Sequence, residues 1–452
     1  MSNSYPFKIF ATKNIAEDGV FKEFINNSQE QNTSVSKAVI DIIENIKNNG
    51  DKSIIEYCNK FDDAKFESSQ DFIVKKEEIN KAYKNIDNNL LNSLKQAKKR
   101  ILAYHKKQMP KNLYYRDKPG VKLGNIWKPI ERVAVYAPGG TASYPSSVLM
   151  SAIPAIVAGS KDIALFTPAK KGTINDSIIV AADLCNIKNI FKIGGVQAIA
   201  GACYGSEAIN KFDKIVGPGN NFVATAKRML FGKIGIDMIA GPTDLTIIAE
   251  FQEGKNDSSN LCNPEWVAID ALSQLEHGEN SKIFIITNEY KFALKIADSL
   301  IENAKKMPRF SIIEQSLKNS AIIVVENINK APEIVNLIAP EHLQIIANNA
   351  EKIASKINNA GAIFLGRYSP EAIGDYIAGP SHTLPTEGSS RFSSGLSVFD
   401  FLKRVSLISC NKNSFNKIAK YGVEIARAEG LYAHQLSLEI RLNKKQNENH
   451  KS

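Results

Sequence analysis

A chain of 452 residues, 43% hydrophobic and 23% charged, has the balance of a soluble globular protein; its apolar runs fall short of the roughly 20 residues a membrane helix needs. No basic segment followed by an apolar core opens it, so no export signal is expected, and Cys58, Cys185, Cys203, Cys262 and Cys410, scattered and never in C-x-x-C spacing, point to a reducing cytoplasm without disulfides or a cysteine zinc site. The net charge of +10 resides mostly in lysines alternating with apolar residues at helical spacing, and with no nucleic-acid motif present, no nucleic-acid partner is expected.

Up to about residue 110 the chain reads as helices. "SVSKAVIDIIENIKNNG", "DKSIIEYCNKF" and "KKEEINKAYKNIDNNLLNSLKQAKKRILAYHKKQ" carry apolar residues at three- and four-residue spacing, and Gly50 supplies a stop. His105, in the lysine-rich helix, reads as a surface residue. From about Ile130 strands and helices alternate: "RVAVYAP", the turn "GGTASYPSS", "VLMSAIPAIVAG", "DIALFTP", "DSIIVAADLC", "NIFKIGG", "VQAIAGACYG", "DKIVGPG" and "NFVATAKRML". The polar insert "FQEGKNDSSNLCNPE" leads to a second alternating series through "SKIFIITN", "SAIIVVEN" and "GAIFLG", and the chain closes in helices. Such alternation implies parallel βαβ units. The fold expected is α/β, with two Rossmann-like parallel-sheet domains and helical N- and C-terminal extensions. The tail "NKKQNENHKS", with His450, reads as a frayed end.

Chemistry is concentrated in a few short stretches. "APGGTASYP" and "VGPGNNF" are Gly-rich turns between strand and helix, able to offer backbone N–H groups to a phosphate, although no G-x-G-x-x-G is present. "LSQLEHGEN" places Gln274 and His277 three apart on one helical face; "SPEAIGDYIAGPSH" offers Asp375 and His382; "AEGLYAHQL" offers Glu429 and His434. Taken one at a time, each has a solvated or capping role as the simpler account. "LIAPEHLQII" sets Glu341 beside His342 in an apolar run. Read locally it is a helix start, with Pro340 in the first position and an acid in the first turn.

Together these segments resemble the histidinol dehydrogenase family. The likeness is carried, in order, by "VYAPGGTASYPSSVLMSAIPAIVAG", "GGVQAIA", "DKIVGPGNNFVATAKR", "IDMIAGPTD", "LSQLEHG", "APEHLQI", "FLGRYSPEAIGDYIAGPSHTLPT", "RFSSGLSVFDFLKR" and "EGLYAHQLSLEIR". The resemblance implies an enzyme that oxidises L-histidinol through L-histidinal to L-histidine, reducing two NAD+. It implies one Zn2+ per subunit held by Gln274, His277, Asp375 and His434, the last from the partner in a homodimer. It implies Glu341 and His342 as the catalytic pair, and Tyr136, Gln197 and Asn220 as NAD contacts. Substrate contacts are implied at Thr243, His382 and Glu429, beside Gln274, His277, His342, Asp375 and His434. The domains implied are an N-terminal helical segment (1–35), a first Rossmann-like domain (36–130 with 244–396) bearing the catalytic and zinc residues, a second (131–243) bearing the NAD contacts, and a C-terminal helical dimerisation segment (397–452). Two departures stand out: Thr243 where the family usually has Ser, and Pro380–Ser381 where it commonly reads Thr–Asn.

These residue types suit the reaction. A neutral imidazole accepts a proton near neutral pH, and His342 at a helix N-terminus would resist protonation. Glu341 would deprotonate water for attack on the aldehyde, so that two bases serve two half-reactions. Zinc would clamp the imidazole and amino nitrogens of the substrate. The rival reading is a relative acting on another small primary alcohol; it would alter the residues gripping imidazole and amine, yet Asp375, Glu429 and His434 stand at their matching positions.

Overall fold

The structure, a computed structural model, describes residues 5–11, 14–27, 35–139, 143–252, 254 and 261–442. Residues 140–142 of the first Gly-rich turn, most of the polar insert, and His450 lie outside the described residues. The chain forms two compact units, Met1–Gln108 with Ile130–Phe401, and Met109–Pro129 with Leu402–Ser452.

The larger unit holds two parallel sheets. The first has six strands in the order Lys8–Phe10, Ala321–Val324, Lys282–Thr287, Asp244–Ala249, His342–Ile346 and Ala362–Leu365. Its central strands "DLTIIA" and "KIFIIT" are buried at every position, which is why they read as near-continuous apolar runs rather than alternating ones. The second has five: Asn189–Phe191, Asp162–Phe166, Arg132–Tyr136, Lys214–Val216 and Gly235–Ile236.

Three features depart from the sequence reading. Lys8–Phe10 pairs with Ala321–Ile323, so the N-terminal segment contributes an edge strand as well as helix. The helices of residues 36–106 pack on the five-stranded sheet: Val39, Ile42, Ile46 and Ile54 share a core with Ala134, Phe166 and Ile199. His105 is buried rather than exposed, because it continues the stripe Leu94, Ala97, Ile101 on helix Asn88–Lys106; its Nδ1 lies 2.8 Å from Gln108 Oε1.

In the smaller unit, Leu402–Ser409 and Leu113–Arg116 flank Lys122–Pro129 in an antiparallel sheet. The helices Lys412–Ala428 and Tyr432–Leu442 pack together where Gly422 meets Leu438 so closely that a Cβ would lie 2.8 Å from the leucine. All five cysteines are free, and among the described residues no helix is long and apolar enough to cross a membrane.

Candidate active site

Glu341 and His342 begin a strand, not a helix. Helix Ala331–Ile338 ends at Ala339, whose φ of 53° turns the chain, and Pro340 leads directly into His342–Ile346. That strand fits between Asp244–Ala249 and Ala362–Leu365, so both titratable residues are buried at the amino ends of central strands.

Neighbouring strands lock them in place. The Glu341 N–H donates to Asp244 Oδ1 (3.0 Å), and the Asp244 N–H returns a bond to Glu341 Oε2 (3.3 Å). The Thr243 hydroxyl donates to the same Glu341 oxygen and accepts from Gln274 Nε2 at 2.6 Å. His342 Nδ1 lies 3.1 Å from the carbonyl of Asp244. A carbonyl only accepts, so the proton resides on Nδ1 and Nε2 keeps its lone pair. Burial pushes the His342 pKa down to about 3, so the ring is neutral. Burial rather than a helix end is the cause. Burial, and then the neighbouring Asp244, hold Glu341 well above the ordinary carboxylate range.

A second cluster faces His342. Helix Pro264–Leu275, capped by Asn263, carries Gln274 in its last turn, and His277 follows just beyond the helix end. The short helix Glu371–Tyr376 carries Glu371 and Asp375 one turn apart. His277, Glu371 and Asp375 offer ligand atoms all within 4.8 Å of one another. His342 Nε2 lies 3.9 Å from Glu371 Oε1 and 4.0 Å from Asp375 Oδ1. Among the described residues, Gln274 Oε1, His342 Nε2 and Glu371 Oε1 are buried without a hydrogen-bond partner. Burial raises Glu371 to about 8, helped by Asp375, and raises Asp375 to about 6. Glu371 was absent from the sequence reading; the signal for it was an acid one helical turn ahead of Asp375 in "SPEAIGDY", and Ser273 Oγ fixes its other oxygen at 3.1 Å.

The remaining residues are distributed as follows. His382 is held at both ring nitrogens, Nδ1 3.2 Å from the Asp375 carbonyl and Nε2 2.9 Å from Ser147 Oγ. By the same donor logic, Nδ1–H donates to the carbonyl and Nε2 accepts from the serine. Ser381 Oγ accepts from the Thr383 N–H at 3.2 Å, so the departure beside His382 is absorbed in a local turn. Glu429, after helix Lys412–Ala428, and His434, in helix Tyr432–Leu442, belong to the smaller unit and are exposed.

On the five-stranded sheet, Tyr136 ends its strand, Gly195–Tyr204 follows another with Gln197 in its first turn, and Asn220 caps Asn221–Leu230. These are carboxyl ends of parallel strands around Arg132–Tyr136 and Lys214–Val216, where the strand order reverses, the usual location of a ligand crevice. The buried Tyr136 hydroxyl, its pKa pushed up to about 12, accepts from the Gly195 N–H at 3.2 Å. Gln197 is buried and Asn220 exposed, its Oδ1 accepting from the Val223 N–H at 3.1 Å.

The profile of the family described as histidinol dehydrogenase matches residues 25–442. The chain is 42% identical over 412 residues to the histidinol dehydrogenase of Gluconobacter oxydans, covering 91% of this chain and 94% of that one. It is 43% identical over 423 residues to that of Clostridium acetobutylicum, covering 93% and 95%. The crystal structure of histidinol dehydrogenase from Elizabethkingia anophelis superposes with a TM-score of 0.89 at 35% identity, covering 98% of this chain and 99% of that one.

Proposed function

The chain belongs to the histidinol dehydrogenase family, whose members are NAD-using oxidoreductases, and from that premise we propose that it oxidises L-histidinol through L-histidinal to L-histidine with reduction of two NAD+. The observation that carries the residue assignment is the neutral, buried imidazole of His342, its unpartnered Nε2 facing the His277, Glu371 and Asp375 group.

The donor set fits zinc. Imidazole and carboxylate are its preferred ligands, and the Gln274 amide, its Nε2 spent on Thr243, keeps an unpartnered oxygen. The crowded, raised acids are also what a divalent cation would relieve. Gln274, His277 and Asp375 would hold the ion, completed by His434 from a second copy. When bound, zinc would supply charge and open positions for the imidazole and amino nitrogens of the substrate, fixing its alcohol near His342.

The protein's own groups then divide the work. His342 Nε2 accepts the hydroxyl proton as a hydride leaves the carbinol carbon for NAD, giving the aldehyde. Glu341, its pKa held above the ordinary carboxylate range by burial, takes a proton from water as the water oxygen bonds to the aldehyde carbon, while His342 returns its proton to the aldehyde oxygen and is neutral again. The resulting gem-diol loses a proton to His342 and a second hydride to NAD. Thr243 orients Glu341; His382 braces the backbone of Asp375; Glu429, with His434, would meet the substrate. Tyr136, Gln197 and Asn220 would contact NAD at the strand ends of the five-stranded sheet.

We assign the active species to a homodimer in the cytoplasm, the latter reading resting on five free cysteines. The test is NADH formation with histidinol before and after chelation, counting two NADH per histidine. Simple amino alcohols and diols serve as the comparison substrates. Turnover of those alcohols in preference to histidinol would overturn the assignment.

A further inference from the structure

A buried charge pair lies beneath the turn that presents Asn220. Lys227 and Asp237 form an ion pair whose side chains are 2% and 1% exposed. Both grip the same glycine: Lys227 Nζ donates to the Gly217 carbonyl at 3.1 Å, and the Gly217 N–H donates to Asp237 Oδ2 at 2.7 Å. Gly217 has φ of 118°, and a Cβ there would stand 2.0 Å from the Tyr136 carbonyl oxygen, so the turn presses against the strand end that carries Tyr136.

Such a pair is a costly way to hold a fold together, because desolvating both ions cancels most of their attraction. What an apolar replacement could not supply is the two-sided grip on Gly217. We propose that Lys227 and Asp237 are positioning residues for dinucleotide binding: they clamp both peptide groups of Gly217 and so set the path of residues 217–220 between Tyr136 and the first turn of helix Asn221–Leu230. This rests on the reading of Asn220 as a cofactor contact. Neither residue touches the His342 strand start or the metal-ligating group in the hydrogen bonds described above. Loss of the clamp therefore separates cofactor affinity from substrate affinity.

The experiment measures KM for NAD, KM for histidinol and Tm in zinc-loaded Asp237→Asn, Lys227→Met and the double variant Lys227→Met/Asp237→Leu. The single variants should raise KM for NAD by about tenfold while KM for histidinol stays within about twofold, since a displaced contact is expensive even when the chemistry is untouched. The double variant removes both charges together and should recover Tm, because apolar pairs replace buried ion pairs at little cost. Its KM for NAD should nevertheless stay high. An unchanged KM for NAD in the single variants, or one that returns to the parental value in the double variant along with Tm, overturns the proposal; if the single variants do not fold, the double variant decides alone. Asn220→Ala separates the two levels. A raised KM for NAD there without one in Asp237→Asn sinks the clamp only, whereas no change in either removes the cofactor reading beneath it.

Discussion

Because the Asp244 carbonyl can only accept, His342 keeps its proton on Nδ1 and turns a lone pair toward the metal-competent group. Replacing it with Gln should cost both oxidations about 10²–10⁴-fold, the range of general acid–base catalysis, with zinc content retained. Glu341→Gln should spare histidinol oxidation and impair that of histidinal, measured with each supplied separately; equal losses would end the division of labour. Thr243 couples the Gln274 amide to the Glu341 carboxylate through a single hydroxyl. Thr243→Val keeps the shape and removes that link, so it should lower histidinal oxidation, while Thr243→Ser restores it. His105 gives a prediction unconnected to catalysis. Its pKa is lowered by burial, so over the range between folded and unfolded values the unfolded chain binds more protons, and stability rises with pH. The contribution is whole above the unfolded pKa of about 6.5 and is lost as pH falls below it. Urea titrations from about pH 8 to about pH 5 should show wild type losing more stability than His105→Gln, by about 1.4 kcal/mol per unit of pKa separation. Parallel curves would remove His105 as the source.

At the scale of elements, a helix carrying Gln274 with His277 just past its end was legible in "LSQLEHG", and the Gly-rich "VGPGNNF" was legible as a turn between strand and helix. The setting of Glu341 was not. A short run such as "HLQII" reads equally as helix or strand, and Pro340 suits the start of either. What decides is the place in the sheet: the run fits between Ala362–Leu365, the next strand along the chain, and Asp244–Ala249, which is remote in sequence. His105 was misread for a related reason, since flanking lysines obscured its place on the stripe of Leu94, Ala97 and Ile101. The sheet also makes the Glu341 position sensitive to its neighbour. The Gly361 N–H bonds the Pro340 carbonyl at 2.9 Å, and a Cβ on Gly361 would lie 2.6 Å from the Glu341 backbone oxygen. Gly361→Ala should therefore shift the strand start and lower kcat by up to about 10²-fold, the cost of a displacement near 1 Å. Zinc content should hold, and an unaltered kcat in a folded variant would show that the strand yields without moving Glu341.

Across the whole molecule, alternating strands and helices announced two parallel sheets, but not the antiparallel pairing of Leu402–Ser409 with Lys122–Pro129, because register between distant segments leaves no local periodicity. The smaller unit bears a further signal. Tyr421 and Ile425 on one helix, and Tyr432, Leu436 and Ile440 on the next, recur at four-residue spacing and are exposed in the single chain. Apolar stripes of this kind suit an interface, and under the proposed homodimer a second copy is the occupant that the role of His434 requires. The arrangement is testable by complementation. If each site pairs His342 of one subunit with His434 of the other, a mixed dimer of His342→Gln and His434→Ala chains contains one site with both lesions and one with neither. Each parent alone should retain at most about a hundredth of wild-type activity. Unfolding and refolding the two at equal ratio should then restore about a quarter of wild-type activity, since half the dimers are mixed and half of their sites are intact. Sites built within one subunit would leave every site damaged and restore nothing. Adding Tyr432→Glu to both chains should abolish the recovery and yield monomers in sedimentation, because a charge buried in an apolar contact is left unpaired.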